Sequence, residues 1–231
     1  MAVRAIIFDL DGTLADTEEL HFEAFNAVLK PQAIEISPGD YFSRLIGYDD
    51  RDCFVLLLRE HRKPADAAKI GELIAQKTSV YQAMIAERQV LFPGAAEFAR
   101  RCACRFPLAL VTGALRAEVE MILRKAQLLE LFAAIVTAED VEHGKPAPEG
   151  FDTALGRLGY ILRPHPALVA RECVVVEDTP AGIEGARRAG MRVLAVAQTV
   201  AASELVAADL MRPSLAETDL DEVLRLLAAL G

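Results

Sequence analysis

A chain of 231 residues suits one large domain, or a core with a modest second domain. Hydrophobic residues make up 53% of it and charged residues 26%, which is enough apolar material for a buried core and argues against disorder. The 25 basic and 34 acidic residues give a net charge of −9 without a long basic cluster, so nucleic acid is a poor candidate partner. No membrane span or signal peptide is recognisable, and the four cysteines lack the spacing of a zinc or redox pair, so we expect a cytoplasmic protein.

The first predicted element is a short buried strand, "VRAIIFDLD", which ends in the two aspartates Asp9 and Asp11. From residue 16 to residue 90 the apolar residues recur at helical spacing, and nothing in this stretch is typical of a strand. The stretch contains "DTEELHFEAFNAVL", "YFSRLIG", "DRDCFVLLLREH" and "ADAAKIGELIAQKTSVYQAMIAE". The sequence therefore predicts about four helices, inserted after the first strand.

From residue 91 onward, predicted strands and helices alternate. The strands are "FPLALVTG", "FAAIVTAED", "ECVVVEDT" and "MRVLAVA", and helical spacing marks the segments between them and the last segment, "LDEVLRLLAAL". Such alternation predicts right-handed crossovers and a mostly parallel sheet. We therefore predict an α/β fold with a doubly wound core, residues 1–15 and 91–231, and an inserted helical cap, residues 16–90.

Polar residues follow several predicted strands at their carboxyl ends, where sheets of this kind bind ligands. Two carboxylates two positions apart on a strand point the same way and repel each other, which raises one pKa unless a cation lies between them. Mg²⁺ suits such a pair, because it takes oxygen ligands and keeps positions for water or phosphate. One aspartate is then free to attack phosphorus and the other to transfer protons. The polar residues are Asp9, Asp11, Thr112, Gly113, Glu177 and Asp178, with Lys145 in a nearby loop.

Four segments, "DLDGTLADTE", "VTG", "GKPAPEGF" and "VVVEDTPAGIEGARRAG", resemble in order the four motifs of the haloacid dehalogenase-like superfamily. Within it, the chain is similar to the branch that carries a helical cap after the first motif. That branch includes sugar-phosphate phosphatases and beta-phosphoglucomutase. The resemblance covers essentially the whole chain and implies a Rossmann-like core, a small phosphorylated substrate and Mg²⁺ as cofactor.

The resemblance also implies catalytic roles, position by position. Asp9 would be the nucleophile, and Asp11 would be the general acid and base. Thr112, with Gly113 beside it, would bind the transferring phosphoryl group, and Lys145 would offset its charge. The true dehalogenases lack an aspartate at the position of Asp11, so its presence argues against carbon–halogen chemistry.

The metal ligands are implied in the same way. Asp9, the backbone carbonyl of Asp11 and Asp178 would hold Mg²⁺, and Glu177 would support the metal's waters. A rival interpretation starts from "TP" after Asp178, which is typical of a helix start. In that interpretation the Asp178 side chain would only cap the helix.

Several positions depart from the mutase pattern. The mutase has a Ser-Lys pair after its second motif, where this chain has Ala114 and Leu115. Its substrate-binding arginine, three residues after a glycine, corresponds to Asp50 after Gly47, while Arg51 lies one residue late. These departures favour phosphate hydrolysis over a mutase that holds a second phosphate.

The cap segment supplies the remaining substrate-binding candidates. His21 matches a cap-hinge histidine of the mutase, although many phosphatases share the same stretch, and Gly47 and Arg51 lie in the cap loop. The sequence does not specify the substrate or the oligomeric state. A beta-phosphoglucomutase-like mutase is the first alternative, and a non-catalytic binding or regulatory module on the same fold is the second.

Overall fold

The structure is a computed structural model that describes residues 2–45, 48–163 and 166–229. Contacts divide the chain into two compact units, which we call the sheet unit (Met1–Asp16 and Leu91–Gly231) and the helical unit (Thr17–Val90). The predicted core and cap ranges place the first boundary one residue earlier. That these units act as a catalytic core and a cap stays a prediction.

In the helical unit, every regular element among the described residues is helical. Its elements are α1 (Glu18–Leu29), α2 (Pro38–Asp40), a π-helical turn (Tyr41–Leu45), α3 (Asp50–Glu60) and α4 (Ala67–Glu87). Phe25, Phe54 and Leu73 lie in its buried core, where the Phe25 and Phe54 rings meet edge-on with centroids 5.0 Å apart. No strand occurs in the part of this unit that the structure describes, as the helical spacing predicts.

The sheet unit contains a parallel sheet of six strands in the order β3-β2-β1-β4-β5-β6. The first five strands overlap the five predicted ones, and this confirms the predicted α/β class. The sixth was not predicted, because its three residues are only partly buried and form no apolar run. The strands are β1 (Ala5–Phe8), β2 (Leu108–Val111), β3 (Phe132–Val136), β4 (Cys173–Glu177), β5 (Arg192–Val196) and β6 (Leu210–Arg212).

Helices cover the sheet on both sides of its buried strands. Strands buried on both faces are continuously apolar, as β1 and β2 are and as β4 is before its last residue, Glu177. Phe151 and Ile183, for example, lie in the same buried cluster as Ile7 and Val175. The helices are α5 (Ala95–Ala103), α6 (Arg116–Lys125), α7 (Glu149–Ile161), α8 (Pro180–Arg188) and α9 (Leu220–Ala229).

Strand β1 lies between β2 and β4, and this register positions the polar residues that follow. Phe8 faces Leu110 on one side and Val176 on the other. The three strands therefore end at the same edge of the sheet, and the residues after them converge there. The Asp9 amide still donates to the Val176 carbonyl, at 3.0 Å, so the strand pairing holds to the first aspartate.

Three of the four cysteines, Cys53, Cys102 and Cys173, are buried. All four cysteines are free thiols, and burial raises the pKa of Cys53, Cys102 and Cys173 to about 12. Thiols with such a raised pKa are poor nucleophiles at neutral pH. Over the ranges that the structure describes, each helix is too short or too polar to cross a membrane.

Candidate active site

Gly12 lets the chain turn sharply after β1 and pass close to the end of β4. Its φ of +87° is the left-handed conformation that glycine adopts most easily. A Cβ atom at this position would lie 2.1 Å from Oδ2 of Asp178. The glycine is therefore required both by the turn and by the close approach of the Asp178 carboxylate.

Lys145 joins two carboxylates from different strand ends. Its Nζ donates to Asp9 Oδ1 at 2.5 Å and to Glu177 Oε1 at 2.6 Å. Asp9 is 6% exposed and Glu177 is 1% exposed, so both ion pairs lie in a region that largely excludes water. Ion pairs and hydrogen bonds between charged groups are stronger in such surroundings.

Glu177 is fixed at the start of α8 as well. Its Oε2 accepts from the amides of Asp178 and Thr179, both at 2.9 Å, and from the Thr179 hydroxyl at 3.0 Å. A Cβ at Gly182 would lie 1.7 Å from Glu177 Oε1, so only glycine leaves room for this carboxylate. Both Glu177 oxygens are thus engaged by protein donors.

Asp178 does not cap α8. Thr179 does so instead, because its hydroxyl accepts from the Gly182 amide at 3.1 Å. The Asp178 carboxylate accepts from the Thr13 hydroxyl at 3.0 Å and from the Thr199 hydroxyl. The capping interpretation of Asp178 is therefore wrong, and this buried carboxylate lies among the other site residues.

Asp11 and Thr112 meet at the ends of β1 and β2. The Thr112 hydroxyl donates to Asp11 Oδ2 at 3.2 Å and accepts from the Ala114 amide at 3.0 Å. Gly113 is exposed, and a Cβ added to it would meet no atom within 4 Å. Packing within the described residues therefore gives no reason for a glycine at this position.

Burial and crowding of the carboxylates shift the ionisation of the site. Burial raises the pKa of Asp9 well above its usual 3.8, and the carboxylates of Glu177, Asp178 and Asp11 add to this while Lys145 opposes it. Burial, together with the Glu177 charge, raises the pKa of Asp178 to about 8. Burial alone would lower the pKa of Lys145, yet Asp9 and Glu177 raise it above its usual value. One lysine is therefore too little positive charge for these carboxylates, and a cation would relieve the excess.

The side chains suit Mg²⁺ better than a metal held entirely by protein. Asp9 Oδ2 is buried and has no hydrogen-bond partner among the described residues, so it can accept a cation. The same residues contain no group of three His, Cys, Asp or Glu arranged to hold a metal ion. Mg²⁺ does not need one, because it commonly binds one or two carboxylates and completes its shell with water and substrate phosphate. Asp9, Asp178 and the Asp11 carbonyl fit that preference.

The two cap candidates that the structure describes, His21 and Arg51, lie on different helices of the helical unit. His21 lies on α1, and Arg51 is exposed in the first turn of α3. Gly47 lies outside the described residues. The Nδ1 atom of His21 lies 2.7 Å from Nζ of Lys77. The sequence analysis did not single out Lys77.

Lys77 is a fully buried lysine on α4. Its Nζ donates to Asp50 Oδ1 at 2.6 Å and lies 4.8 Å from the centre of the Phe25 ring. Helical spacing in the sequence could have revealed it, because Lys77 is four residues from both Leu73 and Tyr81 and so lies on the buried face of α4. Asp50 is therefore committed to an ion pair within the helical unit.

We expect Lys77→Met to lower the free energy of unfolding by about 1–3 kcal/mol, because Asp50 loses its buried partner. Urea unfolding followed by circular dichroism measures this. Lys69→Met on the same helix is the control: Lys69 pairs with Glu72 on the surface, and its loss should change stability by less than about 0.5 kcal/mol. Adding Asp50→Asn to Lys77→Met should recover part of the loss, and a Lys77→Met variant as stable as the Lys69 control would contradict the prediction.

Two curated proteins illustrate what the chain is similar to. A family model described as haloacid dehalogenase-like hydrolase matches residues 6–196. Protein CbbY of Rhodobacter capsulatus is 36% identical over 208 residues, which cover 84% of this chain and 85% of that protein. A phosphorylated carbohydrates phosphatase of Thermotoga maritima is 30% identical over 193 residues, which cover 82% of each protein.

Solved structures show the same architecture. An aspartate-to-asparagine variant of CbbY from Rhodobacter sphaeroides, in complex with xylulose-(1,5)bisphosphate, aligns with a TM-score of 0.81 at 27% identity over 93% of this chain and 96% of that one. A beta-phosphoglucomutase from Clostridium difficile aligns with a TM-score of 0.86 at 21% identity over 99% of this chain and 98% of that one. The second likeness concerns the fold alone.

Proposed function

The chain belongs to the haloacid dehalogenase-like hydrolase family, and on this premise we propose that it is a Mg²⁺-dependent phosphatase acting on a small phosphate monoester through an aspartyl-phosphate on Asp9. The family predicted from the four motifs is thereby confirmed. The family and its phosphatase relatives identify the chain as a hydrolase of phosphate esters. Its metal, its intermediate and its location in the cytoplasm belong to the proposal.

The observation that supports the proposal most strongly is the environment of the Asp9 carboxylate. One oxygen of this buried carboxylate pairs with Lys145, while the other has no hydrogen-bond partner within the described residues. Lys145 and a bound cation would both favour the ionised carboxylate, which is the nucleophilic form. Mg²⁺ bound by Asp9, Asp178 and the Asp11 carbonyl would also neutralise charge on the transferring phosphoryl group.

The reaction would proceed in two steps. Asp9 attacks phosphorus, the bond from phosphorus to the substrate oxygen breaks, and Asp11 gives its proton to that oxygen. A water molecule then attacks the aspartyl-phosphate and returns its proton to Asp11, so that inorganic phosphate and the Asp9 carboxylate are released. The hydrogen bond from Thr112 to Asp11 supports this role, because it fixes the carboxylate that must exchange protons.

We propose sugar phosphates as the substrate class, on the strength of the Thermotoga relative's name. A sugar bisphosphate is the second candidate, since CbbY from Rhodobacter sphaeroides was solved with one. Asp50 favours the monophosphate: an acidic residue stands where the mutase has its substrate-binding arginine, and it is paired with Lys77. A mutase activity remains the alternative, and its product would be an isomeric sugar phosphate and not free phosphate.

A panel of phosphorylated metabolites tests the proposal. We expect inorganic phosphate to be released from one or more sugar monophosphates in the presence of Mg²⁺. Release from a sugar bisphosphate alone would select the second candidate, and conversion of a sugar 1-phosphate to the 6-phosphate without free phosphate would select the mutase. No turnover of any member, nor of an aryl phosphate, would favour a non-catalytic module.

Mg²⁺ is expected to stabilise the protein more strongly as pH rises from about 5 to about 8. Over this range the folded Asp178 carboxyl, with its pKa raised from 3.8 to about 8, keeps a proton that the unfolded chain has released. The metal-free protein therefore loses stability as pH rises, whereas Mg²⁺ binds the deprotonated form and becomes more effective. At 100 times Kd, Mg²⁺ would add about 2.7 kcal/mol, which raises Tm by roughly 5–10 °C.

Thermal unfolding at several pH values, with EDTA or with Mg²⁺, measures this effect. Asp178→Asn is the control variant, because it removes a proposed ligand and should abolish the Mg²⁺-dependent rise in Tm. A rise that is equal at pH 5 and pH 8, or that persists in the control variant, would contradict the assignment of Asp178.

A further inference from the structure

We propose that Thr199 is a positioning residue that orients the Asp178 carboxylate for the metal. This inference rests on the proposed function and extends it to the loop after β5. That loop lies outside the four segments that resemble the family motifs. It brings the carboxyl end of β5 into the site, beside the ends of β1, β2 and β4 and the loop of Lys145.

The contacts of Thr199 are directed at the site. Its hydroxyl donates to Asp178 Oδ2, while the Thr13 hydroxyl donates to Asp178 Oδ1 at 3.0 Å. The Thr199 methyl carbon, Cγ2, would lie 2.9 Å from a Cβ added to Gly12, so the side chain also packs against the turn after β1. Two hydroxyls therefore hold the two oxygens of one buried carboxylate.

Gln198, the preceding residue, ties the same loop to the turn that carries Asp11. Its Nε2 donates to the carbonyls of Gly12 and Thr13, both at 3.0 Å. Its Oε1 accepts from the Leu215 amide at 3.3 Å, which fixes the side chain from the other end. Gln198 thus satisfies two carbonyls of the turn and holds Thr199 at a fixed distance from it.

This arrangement matters for metal binding because a ligand that is held in place loses little freedom when the metal arrives. Groups that orient metal ligands typically change metal affinity by about 10–100-fold when they are removed. The Asp178 carboxylate can keep accepting from Thr199 while a second lone pair binds a cation, since each carboxylate oxygen has two. Thr199 would therefore act through Asp178 without contacting substrate.

The test compares side chains with and without the hydroxyl in the absence of substrate. We expect Thr199→Val, which keeps the shape, and Thr199→Ala to raise the Kd for Mg²⁺ by about 10–100-fold. Thr199→Ser, which keeps the hydroxyl, should stay within about threefold of the original value. Isothermal titration calorimetry measures the Kd for Mg²⁺ directly, and circular dichroism tests whether each variant is folded. Saturating Mg²⁺ should restore most of the phosphatase activity of the hydroxyl-free variants.

The outcomes separate the role of Thr199 from the proposed function. Weakened Mg²⁺ binding in the hydroxyl-free variants, with Thr199→Ser near the original value, supports the inference. Unchanged Kd in a folded Thr199→Val or Thr199→Ala variant overturns it and leaves the proposed function standing. Equal weakening in Thr199→Ser also overturns it, because packing and not the hydroxyl would then be responsible. An unmodified protein that binds no Mg²⁺ overturns both the inference and the proposed metal.

Discussion

Replacing Asp9 with Asn is expected to lower phosphate release by at least about 10³-fold while the protein stays folded, because an amide cannot form the aspartyl-phosphate. The same change removes one charge from a crowded group of buried carboxylates, so at pH 7 we expect the free energy of unfolding to stay equal or to rise. Such a gain in stability with a loss of activity is typical of a functional residue. Phosphate release and thermal unfolding, measured on the same preparation, test both parts.

Asp221→Asn is a suitable control for the Asp9 variant. Its side chain is 80% exposed and pairs with Arg105 at the surface, so it should leave activity and stability nearly unchanged. An Asp9→Asn variant that is folded and turns over at a rate close to that of the control would remove the central residue of the proposed mechanism. A variant that does not fold would show that the Asp9–Lys145 pair is needed for structure.

Replacing Asp11 with Asn is expected to have a large effect that depends on the leaving group. With a sugar phosphate both steps need Asp11, and turnover should fall by about 10²–10⁴-fold. With an aryl phosphate the departing oxygen needs little protonation, so the first step should survive while hydrolysis of the aspartyl-phosphate is slow. Rapid mixing should therefore show a burst of aryl alcohol close to one equivalent of enzyme, followed by slow turnover.

The burst separates Asp11 from Asp9. The Asp9→Asn variant has no nucleophile and should give no burst with either substrate. If Asp11→Asn also gave no burst with the aryl phosphate, the Asp11 side chain would be needed before or during formation of the aspartyl-phosphate, and not only for proton transfer to the leaving group. If it turned over sugar phosphate at the normal rate, the proton-transfer role would be refuted.

The sequence alone predicts the sheet well for physical reasons. Strands β1, β2 and β4 are buried on both faces, and a continuous apolar run records that burial directly. Strand β6 lies at the edge of the sheet and is only partly buried, so its three residues lack such a pattern. Most of the motif residues could be located because they lie at or just after the ends of buried strands, which meet at one edge of a parallel sheet. Lys145 lies in a loop after β3 and was located from its motif instead.

Side-chain partners were harder to predict because they come from distant segments. Lys77 lies among apolar residues of α4, and its partner Asp50 belongs to another helix. Thr199 follows β5 at the same edge of the sheet as the motif residues, so the rule that located them applies to it as well. A lone threonine after a strand is too ordinary to single out, however, and only the contact with Asp178 distinguishes it.

The central place of β1 in the sheet also has a consequence for how the protein folds during synthesis. Strand β1 is synthesised before the other five strands of the sheet, yet its neighbours are β2 and β4, and Arg4 donates to Glu172 across 168 positions of the chain. Contacts of such long range slow folding, and until β4 emerges one edge of an apolar strand stays open to wrong partners. Nascent chains that stop before β4 should therefore depend on chaperones and resist proteases poorly.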